Sequence, residues 1–400
     1  MKYNKWTVAL AALGVVSLAS AAKADEGLSS VQTALASTTL SGYVDTSAQW
    51  NFGSGNNYLP PYRFGGTDKA DGFNLNVIQL RIEKPLDEQD WAAGYRADLW
   101  FGPDANVLGT SSYGWGNDSD FNIRQAYVAL RAPVGTGLDF KMGVFDSIIG
   151  YESIESGNNP NFTRSYGHSI EPVSHTGLLA SYRFCECFSA SAGVANTWGN
   201  TINERAFNPL WSNDARAESY KSYMGSIAFT APDSWGFLSG STLYGGIVNG
   251  FGSSGNYGET VTSYYVGATV ATPVTGLRAG VSFDQINIHH VDNDNWSLAG
   301  YLSYQATEKL SLHARAEYYM DTVDGGGTLL YWTPVGKAEV LALTATVQYD
   351  LWKNVISRLE FRWDHSLNGN HLFGGDTDDG NGGAHLKNAW MLAANVIYKF

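Results

Sequence analysis

Leu40-Ser41-Gly42-Tyr43-Val44-Asp45-Thr46-Ser47-Ala48-Gln49-Trp50-Asn51-Phe52 reads with a period of two. Leu40, Gly42, Val44, Ala48, Trp50 and Phe52 share one parity, and Ser41, Tyr43, Asp45, Ser47, Gln49 and Asn51 share the other. Side chains on a strand point alternately to opposite faces, so the segment is a strand with one apolar face and one wet face.

The alternation returns along the chain. It is clear over 91–101, with Trp91, Ala93, Tyr95, Ala97 and Leu99 on the apolar side and Arg96 and Asp98 on the polar one. It recurs over 138–144, where Asp139 and Lys141 are polar, and over 176–184, 277–283, 296–306, 310–320, 341–349, 359–363 and 390–400. Four segments are less regular: 73–84, where Val77-Ile78 points to a bulge that swaps faces, 124–131, 237–249 and 264–270. With 188–196 and 220–230 the reading reaches sixteen strands.

The connections alternate in length. Short ones fall around 85–90, 133–137, 185–187, 232–236, 273–276, 307–309 and 350–354, where Pro and Gly recur as tight turns require. Long ones, rich in Gly, Asn, Asp and Ser, fall at 53–72, 102–120, 146–174, 199–219, 250–261, 287–295, 321–336 and 366–388. Short turns on one side, long loops on the other and an even strand number describe an all-β, antiparallel transmembrane barrel with periplasmic turns and extracellular loops. Trp50, Phe101, Trp296, Trp363 and Trp390 then lie toward the outer rim, and Tyr182, Phe188, Tyr304, Tyr349 and Tyr398 toward the inner one, as two aromatic girdles.

Composition agrees. There are 45 Gly, 23 Tyr, 18 Phe and 13 Trp, with 16% charged residues, which is what alternating lipid- and water-facing positions average to. Residues 1–24 read as a secretory signal peptide, with Lys2 and Lys5 before an apolar run at 7–22 and small residues at Ala22 and Ala24. Residues 25–38 are then a short periplasmic segment before a barrel at 39–400. Losing Lys2, Lys5 and Lys23 from 25 basic residues leaves 22 against 38 acidic ones, a net charge of about −16 that argues against nucleic acid as a partner.

The chain closes on Val396-Ile397-Tyr398-Lys399-Phe400. This ending resembles the insertion signal of outer-membrane barrels, which implies Phe400 as its key residue and the barrel-assembly machinery and outer-membrane lipid as partners. The wider resemblance is carried by Leu40 to Asp45, Gly143 to Asp146, Gly150-Tyr151-Glu152, Asn158-Asn159-Pro160, Arg164-Ser165-Tyr166, Glu171-Pro172 and His175-Thr176-Gly177. Over nearly the whole mature chain these are similar to the OmpL-like β-barrel porin family. That resemblance implies a Gram-negative outer-membrane porin and brings no catalytic or substrate residues with it.

Sixteen strands enclose a water-filled lumen rather than one packed with side chains. The polar parity of the wall carries Arg96, Arg131, Lys141, Arg183, Arg278, Arg315, Arg358 and Arg362 beside Asp45, Asp98, Asp139, Asp284, Glu317, Glu360 and Asp364. Charges of both signs suit a polar pore, although they also pair with one another to hold register. The third long loop, 146–174, is expected to fold inward by analogy with other sixteen-strand porins, with Glu152, Glu155, Arg164, His168 and Glu171 at a constriction. Its alternative is an ordinary surface loop. With Asp146, the four loop acids outnumber the permanent base Arg164, so a modest cation preference is expected.

Other chemistry is thin. No GxSxG elbow, HExxH helix or P-loop occurs, and His168-Ser169 with Glu171 supports a hydrolase only by adjacency. His289-His290 with Asp292 and Asp294, and Asp376 with Asp378 and Asp379, are acidic loop clusters without a complete cation ligand set. Cys185-Glu186-Cys187 cannot complete a zinc site. No cofactor, metal or enzymatic activity is expected. The leading function is passive diffusion of ions and small hydrophilic solutes through a porin, with a homotrimer compatible with that architecture. The alternatives are a substrate-selective channel in which Tyr43, Tyr127, Tyr301 and Tyr319 would stack on a sugar, and a structural or adhesive barrel.

Overall fold

The computed structural model describes residues 37–400 apart from 54, 63, 65–68, 111–118, 207–219, 253–259, 290–292, 323–336 and 376–382. Its strands are β1 (Thr39–Phe52), β2 (Gly72–Lys84), β3 (Ala93–Phe101), β4 (Phe121–Ala132), β5 (Leu138–Asp146), β6 (Ser174–Arg183), β7 (Phe188–Ala195) and β8 (Ser222–Thr230). They continue as β9 (Thr242–Phe251), β10 (Thr260–Ala271), β11 (Leu277–Ile288), β12 (Asn293–Gln305), β13 (Leu310–Asp321), β14 (Ala338–Tyr349), β15 (Val355–Ser366) and β16 (Asn388–Lys399). Each pairs antiparallel with its sequence neighbours, and β1 pairs with β16, so the sheet closes into a sixteen-strand barrel without a free edge. Two short helices, α1 (Pro103–Leu108) and α2 (Tyr166–Ile170), lie in the second and third long connections.

The period-two reading sets the two faces. Leu40, Trp50, Phe52, Leu298, Leu312, Leu343, Leu359 and Tyr398 point outward and are exposed, while Asp45, Asp98, Arg315, Glu317, Glu360 and Arg362 point inward and are buried. No helix among the described residues is long and apolar enough to cross a membrane. The barrel crosses with strands.

Two of the irregular segments are bulges. In β2, Asp45 opposes Val77 and Thr46 opposes Leu75, which leaves Asn76 unopposed. Asn76 and Val77 are consequently both turned inward and buried, and the outward parity passes from Phe73 and Leu75 to Ile78 and Leu80. In β4, Asp98 opposes Gln125 and Leu99 opposes Ile123, so Arg124 and Gln125 both face the lumen.

Two strand starts differ from the sequence reading. Trp91 sits at φ 59° in the turn before β3, so it is a turn residue rather than a lipid-facing strand position. Phe237 belongs to a 3-10 turn, Asp233–Leu238, and β9 begins at Thr242. Gly236 at φ 62° and Gly240 at φ 75° break the extended run there, a conformation that glycine adopts without steric penalty.

The inward face is not polar throughout. Toward the long-loop ends Val248, Val261, Ile286, Ile288 and Val340 are buried inside the barrel with Tyr166 and Ile170 from α2 and Leu372 and Phe373 from the last long connection. An alternating pattern cannot reveal this, because it reports where side chains point and not what fills the space they enter.

Candidate functional site: the third loop and the lumen wall

The chain between β5 and β6 is bonded to the inner wall on two sides. On the β2–β4 side three guanidiniums converge. Arg81 Nε, Arg96 Nη2 and Arg124 Nη1 each lie 2.8 Å from a carboxylate oxygen of Asp98. Glu155 of the loop meets the same cluster: it is ion-paired with Arg81 and lies 3.4 Å from both Arg96 and Arg124. Arg124 also holds Asp146 at 2.6 Å. Burial pushes the Glu155 carboxyl up, but Arg124 and Arg81 outweigh it and hold it below the usual carboxylate range.

On the β13–β15 side the wall binds loop backbone. Arg315 Nη1 donates to Glu152 Oε1 at 2.6 Å and to the Thr163 carbonyl at 2.9 Å, and Arg315 Nη2 donates to the Arg164 carbonyl at 3.1 Å. Glu360 accepts from Phe162 N–H at 2.6 Å and from Thr163 N–H and Oγ1 at 2.9 and 2.6 Å. Arg358 donates to the carbonyls of Ser156 and Asn159 at 3.1 and 2.7 Å, and Arg362 to that of Arg164 at 2.7 Å. Glu317 accepts from Gly167 N–H at 2.9 Å. A loop cannot be buried with idle amides and carbonyls, and these wall charges serve as the partners that a strand or helix would otherwise provide.

The loop also braces itself. Arg164 donates to the carbonyls of Ser153, Phe162 and Ile154, between 2.8 and 3.1 Å. Glu152 Oε2 accepts from Ser165 N–H at 2.7 Å, and Ser165 Oγ caps α2 by accepting from His168 N–H at 3.0 Å. His168 lies 3.6 Å from Glu171. Ser169 Oγ is bonded to the carbonyls of Pro61 and Ser165, so it is not arranged as a nucleophile beside His168.

Aromatic contacts seat the loop where wall strands lack side chains. Tyr151 stacks on Tyr301 with centroids 4.1 Å apart, and Tyr166 on Tyr319 at 4.8 Å. A Cβ on Gly280 would lie 1.9 Å from the Tyr151 hydroxyl oxygen, and one on Gly246 would lie 2.6 Å from Ile149 Cγ2. The glycines leave the seats.

Of the sequence-derived residues, Glu152, Glu155, Arg164, His168 and Glu171 are buried in this loop, and Arg96, Asp98, Arg315, Glu317, Arg358, Glu360 and Arg362 surround it. Lys141, Arg183 and Arg278 stand apart toward the short-turn ends of their strands, and Lys141 lies over the Tyr127 ring at 5.0 Å. Tyr43, Tyr301 and Tyr319 are buried in the wall. Sequence reasoning missed Arg81 and Arg124; the bulges at Asn76 and Arg124 shift parity there, and an irregular strand was the signal.

Cavities of about 220 and 240 Å³ reach toward the short-turn ends of the wall strands, and one of about 90 Å³ is lined by the loop itself, each also lined in part by Tyr244. Cys185 and Cys187 are free thiols with sulfurs 2.8 Å apart in the turn after β6. Among the described residues no group of His, Cys, Asp and Glu could hold a metal; His290, Asp292, Asp376, Asp378 and Asp379 lie outside them.

Comparison with known proteins matches the family model described as beta-barrel porin-2, OmpL-like, over residues 37–400. Among curated proteins no sequence matches. Similar solved structures include the outer membrane channel DcaP of Acinetobacter baumannii, with TM-score 0.57 and 13% identity, covering 91% of this chain and 97% of that one. An anion-selective porin from Comamonas acidovorans gives 0.55 and 13%, covering 91% and 99%. The trimer form of OmpT of Vibrio cholerae gives 0.54 and 11%, covering 91% and 99%. At these identities the likeness is one of fold. With the family model spanning the whole barrel, the chain belongs to the OmpL-like β-barrel porin family of the bacterial outer membrane.

Proposed function

We propose that this porin passes small hydrophilic solutes and ions by diffusion, with the third loop as its constriction. The observation that carries the reading is the double anchoring of that loop, Glu155 to the Arg81-Arg96-Arg124 cluster and Glu152 to Arg315. A segment fixed at both walls narrows the lumen without needing to move. Residues 1–24 as an export signal, 25–38 as a periplasmic segment and a homotrimer are part of the same proposal, the last supported by the trimeric form of one similar structure.

The pairing changes what selectivity to expect. A cation preference follows from loop composition if Glu152 and Glu155 are free, yet both face arginines here. Among the described residues Lys141, Arg183 and Arg278 of the short-turn side make no ion pair, while Asp139 there is held by Arg131 at 2.6 Å. On that short-turn side the unpaired wall charge is therefore positive, which favours a weak anion preference that salt screens away.

The test is ion current through purified protein in a planar bilayer. Stepwise conductance is expected, with a reversal potential in a shallow KCl gradient of the sign for chloride. Absence of conductance from heat-modifiable, folded barrel defeats the porin reading. A potassium-signed potential defeats the anion preference and returns the reading to the loop acids.

A further inference from the structure

We infer that the cavity of about 240 Å³ beneath the third loop is a binding site for a small carboxylate carried on a single six-membered ring. The inference rests on the porin reading for how solute reaches the lumen, but the site itself is built from residues of this chain.

The cavity's lining is unusual for this barrel. The third loop is held by clustered acids and bases, whereas here Arg278 is the one charged residue among those that line the space. The Arg278 side chain is exposed, and among the described residues it makes no side-chain hydrogen bond or ion pair. Its planar fork of donors matches a carboxylate in two parallel bonds. No acid lines the cavity to compete for it.

The rest of the lining is uncharged, with four tyrosines among small and polar residues such as Ser153, Asn159 and Ser303. Tyr151, Tyr244, Tyr265 and Tyr301 all line the space, and the Tyr151 and Tyr301 rings are stacked 18° from parallel. The arrangement is held open by missing side chains: a Cβ on Gly267 would lie 2.0 Å from the Tyr265 hydroxyl oxygen, as one on Gly280 would strike Tyr151. Thr269 Oγ1 donates to Tyr151 Oη at 3.3 Å and fixes that ring from the wall. Aromatic faces reward a flat or one-sided apolar ring and do nothing for a bare inorganic anion.

Size narrows the choice further. The space is somewhat below the roughly 300 to 1,000 Å³ of sites for drug-sized ligands, so it fits one ring and its substituent rather than an oligomer. Thr242, Arg278 and Ser303 place it near the short-turn ends of β9, β11 and β12. A solute there would be held on the periplasmic side of the constriction. One cation, no competing anion and four tyrosines together point to a carboxylate on a ring.

Isothermal titration of the full barrel, folded in detergent, with benzoate and with glucuronate tests the site, the two probes separating an aromatic from a sugar ring. At least one is expected to bind, with benzyl alcohol at least about tenfold weaker because it lacks the hydrogen-bonded charge, and inorganic phosphate weaker because it lacks the ring that the tyrosines would contact. Arg278→Gln should weaken binding by about ten- to a hundredfold, and Arg278→Lys, which keeps charge but not the fork, by less. The inference is overturned if neither carboxylate binds, if phosphate binds as well as they do, or if folded Arg278→Gln binds like the parent. Should that variant fail to fold, the phosphate and benzyl alcohol comparisons on the parent decide alone. Bilayer conductance is read separately, so carboxylate binding without conductance supports the site and counts only against the porin reading.

Discussion

At the scale of single residues the loop–wall contact depends on charges that are dry and paired. Glu152 and Arg315 have side-chain exposures of 1% and 0%. Glu152→Gln leaves the Arg315 guanidinium buried without its counter-charge, and a loss of about 3 to 5 kcal/mol is expected in urea unfolding of the barrel. Adding Arg315→Leu should recover part of it, because the stranded charge goes with the partner. A double variant as unstable as the sum of both singles would show that the pair is not coupled. Glu155 adds a pH dependence whose sign is fixed by its lowered pKa. A group depressed in the folded state contributes stability above its unfolded value and loses it as pH falls through the folded one. Loop docking should accordingly persist as pH drops from 7 to 5, with single-channel conductance unchanged in that window. A conductance step near the ordinary glutamate pKa would show that Glu155 is not held by Arg124 and Arg81.

At the scale of elements the outward parity makes graded forecasts. Leu343 lies in the middle of β14, whereas Leu312 is two residues from the start of β13 and pairs with Val347. Both are exposed on the outer face. Arginine at a lipid-facing midplane position costs about 2 to 4 kcal/mol and near an interface about 0 to 1, so Leu343→Arg should depress folded yield in vesicles and Leu312→Arg should be mild. Equal defects would contradict the placement of the two positions. Parity was legible in the sequence because lipid and lumen impose opposite demands on neighbouring residues. Strand β2 shows its limit: Val77-Ile78 marked the irregularity, but only pairing with Asp45 and Thr46 places the extra residue at Asn76. Arg124 was lost to the same cause, since its inward turn depends on a bulge that β4 reveals against β3. Glu152, Glu155 and Arg164 were legible as loop charges, but their partners were not. Arg315 is 163 residues from Glu152 in the chain, and spacing carries no trace of that contact.

At the scale of the whole molecule the barrel is only as sound as the seam where its ends meet. Strands β1 and β16 pair from Tyr43 opposite Lys399 to Phe52 opposite Trp390. The last bonds of that ladder run from Gly42 N–H to the Phe400 carbonyl at 2.9 Å and from Phe400 N–H to the Gly42 carbonyl at 3.0 Å. The Phe400 ring then lies across the space where residue 42 has no side chain: a Cβ there would be 2.7 Å from Phe400 Cζ and 2.1 Å from the Gln79 carbonyl oxygen. Closing the seam joins residues between 338 and 356 positions apart, so its entropy is paid late and each terminal contact matters for closure. Deleting Phe400 removes two backbone bonds and the ring together, and the yield of heat-modifiable barrel in the membrane should fall while the chain still reaches the periplasm. Phe400→Tyr keeps both bonds and the ring and should restore the yield. Gly42→Val, which drives a side chain into the ring and the Gln79 carbonyl, should reproduce the deletion from the opposite side of the seam. If deletion and Gly42→Val both leave the folded yield at the parental level, the Gly42–Phe400 contact does not govern closure, and assembly is decided elsewhere along β1 and β16.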